Sequence, residues 1–487
     1  MDKRKIKEFT DKVWYGTGAI GLDLSYGMFN GRLSRYLTDV LGLNTNFLLG
    51  LISAARIWDG VNDPMMGSIV DNTNTKFGRY RPWVVIGSCL NAVILFLLFF
   101  NPGFSTGFSE GGASIWLYVY IAVMYVLWGM TNTTADIPYW SMVPSFTTDP
   151  GERSILATIA RAFSGLGQGI VQIGSPIILN ALGNVVNNPD GTSTTVWTAK
   201  GYFVTVLICS VGLVFFSLLS MSKVRENVAI APPADSFSFK KIFSVIKEND
   251  QLRVFMIFAM LSNAGFYTTT GVVDYFFAAV MENTKAQSTF SLFGTVGSIL
   301  GLAVIPVMMK FTSRRRTYQF SLSTALAGYI GMFISGQFLM STMLLNIFYT
   351  ITQIGTASMF ISQTVFLADV VDYGEVKMGV RRESVTFSMK GFLQKMAYTV
   401  QTVILYAAMG IAGYNDLKPD ANGVIVYPKK VKTAISSVMY IIPPIFFILS
   451  IIVFTTKFKL HGEYMEDITR KVEESRKRRL EAVNENG

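Results

Sequence analysis

The sequence has little charge for its length. Only 15% of its 487 residues are Asp, Glu, Lys or Arg, whereas 51% are hydrophobic and the mean hydropathy is +0.39. Soluble domains carry about 25% charged residues, and disordered chains have low hydrophobicity. The composition therefore excludes both classes and indicates a membrane protein. The 37 phenylalanines and 21 tyrosines fit this class, since aromatic residues are common at membrane interfaces.

Cysteine and histidine are also scarce. Cys89 and Cys209 lie far apart in apolar runs, so we expect reduced structural residues rather than a disulfide framework. The one histidine, His461, lies in the C-terminal tail, which excludes a proton relay of intramembrane histidines. No phosphate-binding loop motif occurs, which argues against a pump driven by its own ATPase domain. We expect no enzymatic activity and no cofactor.

Apolar segments recur along the whole chain. A membrane helix needs about 20 mostly apolar residues, and several segments are longer, which predicts tilted or protruding helices. The first two segments carry charges and would fail a strict hydropathy threshold. The predicted fold class is an all-α membrane protein with twelve transmembrane helices in two pseudo-symmetric six-helix bundles. The predicted spans are 13–35, 46–70, 82–101, 115–146, 154–182, 201–221, 251–281, 287–309, 317–338, 342–371, 383–414 and 433–456.

Lysine and arginine are distributed unequally between the predicted loops. Numbered alternately from the inside, the inside segments hold about 30 of the 42 basic residues and the outside loops about 6. The positive-inside rule then predicts a multi-pass protein of the plasma (inner) membrane with both termini in the cytoplasm. Basic loops facing anionic lipid also account for the net charge of +10. We expect the lipid bilayer as a partner, and no nucleic acid.

A polar, proline-containing segment divides the chain in the middle. The segments that follow Asp136 and Asp369 echo each other weakly, as internal repeats in secondary transporters do. Chance resemblance of short charged segments is the alternative. The predicted domains are an N-terminal bundle (1–221), a cytoplasmic linker (222–250), a C-terminal bundle (251–456) and a cytoplasmic tail (457–487).

Acidic residues inside predicted spans require an explanation, because a charge at the bilayer centre costs about 2.5–3.5 kcal/mol on insertion scales. Asp59 and Asp63 are four residues apart and share one helical face, and Asn62 lies nearly on it. Two neighbouring carboxylates repel unless a cation joins them. We interpret them as a site for a hard cation such as Na⁺ or for a shared proton. The alternatives are acids in a water-filled vestibule and an ion pair with Arg56 or another arginine.

A second set of polar residues suits a polyhydroxyl ligand. A carboxylate in the first helix, Asp23, and a guanidinium in the fifth, Arg161, can each make bidentate hydrogen bonds, although mutual neutralisation is the alternative. Asp136 can face the same cavity. One turn beyond it, Trp140 offers a flat surface for a sugar ring, or else belongs to the interfacial aromatic belt. In the eleventh helix, Lys395 is the deeper of two lysines and is favoured as a partner of the acids.

Inside loops in both halves carry charged patterns. In the first, Asp71 at a helix end is followed by Arg79 and Arg81. Salt bridges from such a loop can hold in one conformation and break in another. The basic segment 310–316 occupies the comparable place in the second half, where a topology signal alone is an equal alternative. Near the outer end of the seventh helix, Asp274 is expected to be a solvated cap.

Four blocks span both halves and are specific when they are considered together: 58–67 (WDGVNDPMMG), 78–83 (GRYRPW), 136–141 (DIPYWS) and 368–375 (ADVVDYGE). With these blocks the sequence resembles the glycoside–pentoside–hexuronide:cation symporter family of the major facilitator superfamily. The resemblance implies the major facilitator fold and symport of a sugar with Na⁺ or H⁺, with Li⁺ as a further coupling ion, by alternating access. We expect a functional monomer.

The resemblance extends to individual residues. Leu22 and Phe360 depart from the family pattern, since melibiose permease-like members carry lysine and tryptophan at these positions. The extra Lys390 hints at an acidic sugar. The resemblance implies a cation site at Asp59, Asn62, Asp63 and Thr133, with Asp59 and Asp63 as the Na⁺ ligands if sodium is coupled. It implies a substrate site at Asp23, Asp136, Trp140, Arg161 and Lys395. Gating roles are assigned to Asp71, Arg79, Arg81, Asp369 and Asp372.

Two rival functions use the same architecture. Lysophospholipid carriers resemble the same family, but they would need few sugar-binding polar groups, and this chain keeps Asp23, Asp136 and Arg161. A membrane sensor without transport would be favoured by an appended soluble domain, for which the segment 457–487 is too short. We therefore expect a cation-coupled sugar symporter.

Overall fold

Helices make up nearly all of the described chain. The computed structural model describes residues 3–109, 111–146, 150–187, 193–224, 239–379, 383–420 and 424–485. The first half contains α1 (Lys3–Arg35), α2 (Thr45–Asp71), α3 (Arg81–Leu98), α4 (Ile115–Ser141), α5 (Pro150–Ala181) and α6 (Ala199–Lys223). The second half contains α7 (Phe239–Glu248), α8 (Asp250–Tyr275), α9 (Ala286–Phe311), α10 (Arg314–Gln337), α11 (Thr342–Met378), α12 (Glu383–Ile411), α13 (Lys429–Tyr440), α14 (Ile442–Lys457) and α15 (Gly462–Glu485).

Each of the twelve predicted spans corresponds to a helix, and the all-α fold class is confirmed. The twelfth span is divided between α13 and α14. Pro443 and Pro444 follow the break, at the start of α14, where a missing backbone N–H does no harm. Within the described residues, seven helical segments are long and apolar enough to cross a membrane. The charged helices α1 and α2 are not among these seven, as the sequence predicts.

Three elements were not predicted from the sequence. An antiparallel hairpin of β1 (Asn184–Asn187) and β2 (Ser193–Val196) connects α5 to α6. The short helix α7 lies inside the predicted linker, of which residues 225–238 lie outside the described part of the chain. The tail forms α15, which packs against α11 and buries Ile468 and Val472. None of the three contains a run of about 20 mostly apolar residues, which is the feature that predicts the spans.

The ends of α1 and α8 repeat the same backbone detail. A five-residue π-helical turn follows each helix, Tyr36–Val40 after α1 and Phe276–Val280 after α8. Each turn leads to a residue in the left-handed region, Gly42 with φ +63° and Glu282 with φ +48°. Because α1 and α8 are the first spans of the two predicted halves, this repetition is a structural counterpart of their pseudo-symmetry.

Close contacts divide the chain into two compact units. The first unit contains the helices of the first half, together with the last turn of α8, the last turn of α12 and the loops that follow them. Its segments are Met1–Ser236, Val273–Ser291 and Tyr406–Ile435. The second unit contains the rest of the second half, in the segments Phe237–Val272, Leu292–Leu405 and Ser436–Gly487.

In the first unit, α1 is fastened to α4 by a reciprocal tyrosine pair. The rings of Tyr15 and Tyr139 stack with their centroids 4.5 Å apart. Each hydroxyl donates to the other residue's backbone carbonyl, at 2.5 and 2.7 Å. Both side chains are fully buried, and buried tyrosines need such partners for their hydroxyls. The pair fixes the part of α4 that carries Asp136 and Trp140.

The helices α3 and α4 approach each other closely at Gly87. A Cβ atom at this position would lie 2.6 Å from the backbone nitrogen of Ala135. Only glycine allows this approach, because the clashing atom is backbone and cannot rotate away. The contact holds α4 in place directly beside Asp136.

We predict that Gly87→Val destabilises the protein, because the side chain would force α4 away from α3. Overpacking of this kind costs about 1–3 kcal/mol, which would lower the apparent melting temperature in detergent. Gly50→Ala in α2 is the matched control, since no described atom lies within 4 Å of its Cβ position. Equal melting temperatures for the two variants would contradict the prediction.

Candidate functional site

The two acidic residues of α2 face α4 in matching register. The Thr133 hydroxyl of α4 donates to Asp63 Oδ1 at 3.0 Å. One turn away, a Cβ atom on Gly129 would lie 3.4 Å from Asp59 Oδ1. Both pairs are four residues apart along their helices, so the two carboxylates lie one above the other against α4. Glycine and threonine leave room for these carboxylates, which a larger side chain would fill.

The surroundings of these carboxylates are polar but incompletely paired. Arg56, on the same helix, forms an ion pair with Asp59 at 2.9 Å, and both side chains are 14% exposed. The alternative of an ion pair with Arg56 is therefore realised for Asp59. Asn62 is buried, and its Nδ2 has no hydrogen-bond partner among the described residues. This nitrogen is a donor and calls for an acceptor, so only the amide oxygen of Asn62 could coordinate a cation.

The donor set suits a small hard cation. It consists of the carboxylates of Asp59 and Asp63, the hydroxyl of Thr133 and the amide of Asn62. Hard cations take oxygen ligands of this kind. The described residues contain no group of three or more His, Cys, Asp or Glu side chains placed to hold a metal. A cation bound here would therefore depend on the hydroxyl and amide as well as on the two acids.

A second polar group lies on the next turn of α4. The indole Nε1 of Trp140 donates to Asp136 Oδ1 at 2.9 Å. The guanidinium carbon of Arg161, from α5, lies 3.9 Å from the centre of the Trp140 ring. Such a cation–π contact holds both groups in a fixed orientation. Three of the predicted substrate residues are thus brought together.

Asp23 lies beside this group on α1. It interacts electrostatically with both Asp136 and Arg161, and Gln168 of α5 donates to its Oδ1 at 2.8 Å. The helices meet closely here, because a Cβ atom on Gly167 would lie 2.6 Å from the backbone oxygen of Ile20. We did not predict Gln168 from the sequence. Its spacing of seven residues from Arg161 places both on one face of α5 and could have revealed it.

The predicted lysine lies in the second unit. Lys395 is half-buried on α12, and its pairing with the acids of the first unit stays a prediction. On the same helix, the Lys390 ammonium donates to the Thr364 hydroxyl of α11 at 2.5 Å. This contact gives Lys390 a partner within its own unit.

The predicted gating residues divide into two groups. Arg81 donates from Nε and Nη2 to the Met221 carbonyl at the end of α6, at 3.1 and 2.5 Å, as basic residues do at helix C-termini. Arg79 is half-buried, and its Nε and Nη1 have no partner within the described chain. The side chain of Asp71 lies outside the described residues. The gating role of these residues stays a prediction.

In the second unit, Asp369 forms an ion pair with Arg314 at 2.6 Å. Arg314 belongs to the basic segment 310–316, so this segment makes a salt bridge of the kind predicted. Asp372 lies on the next turn of α11, and the gating role of both acids stays a prediction. Nearby, Arg315 contacts the ring of His461. Burial and this arginine lower the pKa of His461 below its ordinary value, which favours the neutral ring at pH 7.

The expectation that Asp274 is a solvated cap is wrong. Its carboxylate is 3% exposed and forms an ion pair with the fully buried Arg32 of α1. The pair also contacts Gln287, whose Nε2 donates to Asp274, and Ser175, which accepts from Arg32 Nε at 2.7 Å. An acid near a helix end usually has access to water, but here other helices cover it.

Comparison with known proteins identifies the family of the chain. The family model described as MFS/sugar transport protein matches residues 14–462. The raffinose carrier protein of Pediococcus pentosaceus is 27% identical over 85% of this chain and 64% of its own length. The isoprimeverose transporter of Lactiplantibacillus pentosus is 26% identical over 83% of this chain and 81% of its own. The putative glycoside/cation symporter YagG of Escherichia coli is 24% identical over 97% and 96%, respectively.

Solved structures share the fold. The nucleoside transporter NupG has a TM-score of 0.61 at 14% identity, covering 92% of this chain and all of its own. The xylose transporter XylE of E. coli, in a partially occluded inward-open conformation, has a TM-score of 0.57 at 12% identity and covers 94% and 98%. The predicted major facilitator fold is confirmed. With its family model matched over nearly the whole length, the chain belongs to the MFS/sugar transport protein family.

Proposed function

We propose that this protein imports a sugar together with a cation by alternating access. The observation that carries the proposal is the placement of both candidate sites on one helix. On α4, Thr133 contacts Asp63 and Asp136 contacts Trp140. Three residues of α-helix span about 4.5 Å, so a cation at the first pair and a sugar at the second would be near neighbours. Each ligand can therefore change the free energy of binding the other.

Relatives with named substrates support the sugar assignment. They include a raffinose carrier, lactose permeases and an isoprimeverose transporter, and a further relative is a putative glycoside/cation symporter. A lysophospholipid substrate is not favoured, since these relatives carry sugars. The polar group of Asp23, Asp136 and Arg161 also suits hydroxyl groups better than acyl chains.

We assign the sugar ring to the surroundings of Trp140. The contacts of its indole with Asp136 and of its ring with Arg161 hold the tryptophan in one orientation. A sugar presents C–H groups to an aromatic surface and hydroxyls at its edge. Asp136 and Asp23 would accept hydrogen bonds from these hydroxyls, and Arg161 and Gln168 would donate to them. Lys395 is the proposed contribution of the second half.

We assign the coupling cation to the pair of acids on α2 and favour Na⁺. A proton needs a single basic oxygen, whereas this site also offers the Thr133 hydroxyl and the Asn62 amide. Additional neutral oxygen ligands are of use only to an ion that is coordinated by several groups. The Arg56 side chain would have to leave Asp59 when a cation binds there. Because Arg56 leaves as the cation arrives, a positive charge lies beside Asp59 both with and without the bound cation.

The remaining proposals concern location. The protein lies in the plasma (inner) membrane with both termini in the cytoplasm, because the basic residues are concentrated at that end. One chain is the functional unit, since the cation residues and four of the five substrate residues lie within one compact unit.

The coupling proposal predicts reciprocal effects in the purified protein. Na⁺ should raise the affinity for labelled lactose, raffinose or isoprimeverose about 5–150-fold, and the bound sugar should raise Na⁺ affinity by the same factor. Asp63→Asn should abolish the Na⁺ effect, because it removes a charged ligand, and leave sodium-free sugar binding intact. Titration calorimetry measures both affinities.

Two further arms complete this experiment. Glu463→Gln, which removes an exposed carboxylate from α15, should keep the full Na⁺ effect. A sugar affinity that responds to pH but not to Na⁺ would replace the sodium assignment by a proton. An Asp63→Asn protein with undiminished Na⁺ dependence would show that the cation binds elsewhere.

The sugar site predicts a graded response at Trp140. Trp140→Ala should weaken sugar binding about tenfold or more by loss of the stacking surface, whereas Trp140→Phe should retain most of the affinity. Trp116→Ala is the matched control, because Trp116 lies at the other end of α4 and is 64% exposed. Equal affinities for the Trp140→Ala protein and the wild type would exclude this ring from the site.

The orientation predicts the behaviour of reporter fusions. Green fluorescent protein fused after residue 487 should fluoresce, since it folds in the cytoplasm. Alkaline phosphatase inserted between α3 and α4, in the loop 99–114, should be active, since it needs the outer compartment. The opposite pair of results would reverse the assigned topology.

A further inference from the structure

We propose that Arg32 and Asp274 form the ion pair that closes the outer end of the sugar pathway, an assignment that rests on the proposed function. Arg32 lies in the last turn of α1, and Asp274 in the last turn of α8. These helices are the first spans of the two halves of the chain, and both end opposite the basic loops. The pair therefore joins the two halves at the end that the positive-inside rule places outside.

The pair is embedded in a polar cluster that excludes water. Arg32 is fully buried, and Asp274 is 3% exposed. From α5, the Gln172 carbonyl and side chain accept from Arg32 Nη2, each at 3.2 Å. Ser175 and Gln287 complete the cluster. The helices α1, α5, α8 and α9 thus all contribute polar groups to this cluster.

Further contacts within the first unit run alongside this pair. The Thr38 hydroxyl lies 3.0 Å from the Tyr275 hydroxyl, and Asp39 accepts from the hydroxyls of Tyr414 and Tyr427. In each contact the first residue belongs to the first half of the chain and its partners to the second half. Together with Arg32 and Asp274 they form a continuous seam, which we call the outer seam.

Two more contacts extend the outer seam to α2 and α5. The backbone N–H of Thr45 donates to Asn415 Oδ1 at 2.8 Å. The Thr284 hydroxyl donates to Asn180 Oδ1 at 2.9 Å, and Asn180 Nδ2 donates to the Thr284 carbonyl at 3.2 Å. These neutral contacts lose little when water replaces them, because water offers equivalent hydrogen bonds. A buried charge, by contrast, loses much more when its partner is removed.

A buried ion pair has two acceptable states and no good intermediate. The paired charges tolerate a dry environment, and separated charges tolerate water, but one buried charge without its partner is strongly unfavourable. The closed pair is also incompletely satisfied, because Asp274 Oδ2 and Gln287 Oε1 have no partner among the described residues. Separation of the seam would let water reach these atoms. The pair therefore suits a two-state gate.

The position of the pair fits the route of a sugar. Asp23 of the candidate substrate site precedes Arg32 by nine residues on α1, a rise of about 13 Å. Between them, Tyr26 is 39% exposed and interacts electrostatically with Asp23 and Asp136. Both side chains bond to α5, Asp23 through Gln168 and Arg32 through Gln172. A solute that reaches Asp23 from outside along α5 therefore passes Arg32.

Cysteine labelling tests the gate without sugar or cation. In a Cys89→Ala, Cys209→Ala background, the Tyr26→Cys thiol serves as the reporter for a membrane-impermeant maleimide added from outside. The otherwise unchanged protein should label slowly. Asp274→Asn and Arg32→Gln should each label about tenfold faster, because the charge left behind favours the open, hydrated state.

Controls separate the gate from general loosening. Lys432→Gln breaks the exposed ion pair of Lys432 with Glu282, two residues of the second half, and should leave labelling unchanged. The exchange Arg32→Asp with Asp274→Arg should restore slow labelling. Gln287→Ala removes one donor to Asp274 without stranding a charge, so it should fold even where the charge variants do not, and it should give a smaller increase.

The outcomes distinguish the gate from the proposed function. Unchanged labelling in the folded Asp274→Asn, Arg32→Gln and Gln287→Ala proteins would overturn the gate. Faster labelling in a protein that binds no sugar would keep the gate and overturn sugar transport. A single peak in size-exclusion chromatography identifies the folded variants.

Discussion

A charge surrounded by hydrocarbon must have a partner, and this constraint governs how the helices of this protein are arranged. Three of the intramembrane acids considered above show this clearly, since each is held by a basic or hydroxyl group. Asp59 is paired with Arg56, and Asp63 accepts from Thr133. Asp274, in the last turn of α8, is paired with Arg32. These partners come from different helices in two of the three cases, so the charges also fix which helix faces meet. Apolar burial alone is far less selective in a bilayer, because lipid tails are as apolar as leucine.

The helix α4 connects the two candidate ligand sites and contains the feature that lets them communicate. Pro138 lies inside the helix, between Asp136 and Trp140. Proline cannot donate to the carbonyl four residues before it, which belongs to Thr134, and the helix can bend there. This weak point lies close to Thr133 of the proposed cation site and to Asp136 of the proposed sugar site. A bend of α4 at Pro138 would therefore alter both sites together, while the Tyr15–Tyr139 pair keeps the helix attached to α1 at this point.

Local patterns in the sequence predict the helices and the acidic face, but not the partners of the charges. The apolar runs locate all twelve spans, and the four-residue spacing of Asp59 and Asp63 places both carboxylates on one face, because helix periodicity is a property of neighbouring residues. The partner of Asp274 lies 242 residues away. No periodicity records a contact of that range, so the acid looked like an ordinary exposed cap. The helices α7 and α15 were missed for another reason: they are amphipathic and carry too much charge to resemble a span.

The described ion pairs are of two kinds. Lys12 pairs with Glu152 inside the first half, and Arg314 pairs with Asp369 inside the second. Arg32 and Asp274 instead join the two halves. Pairs within one half can persist when the halves rock, whereas a pair between them must break. A ligand shifts such an equilibrium only by its difference in affinity for the two states. The pairing of Arg32 with Asp274 opposes the state in which they are apart. The binding free energy of sugar and cation together must favour that state by about the same amount. A symporter therefore has a reason to bind both ligands before it changes conformation.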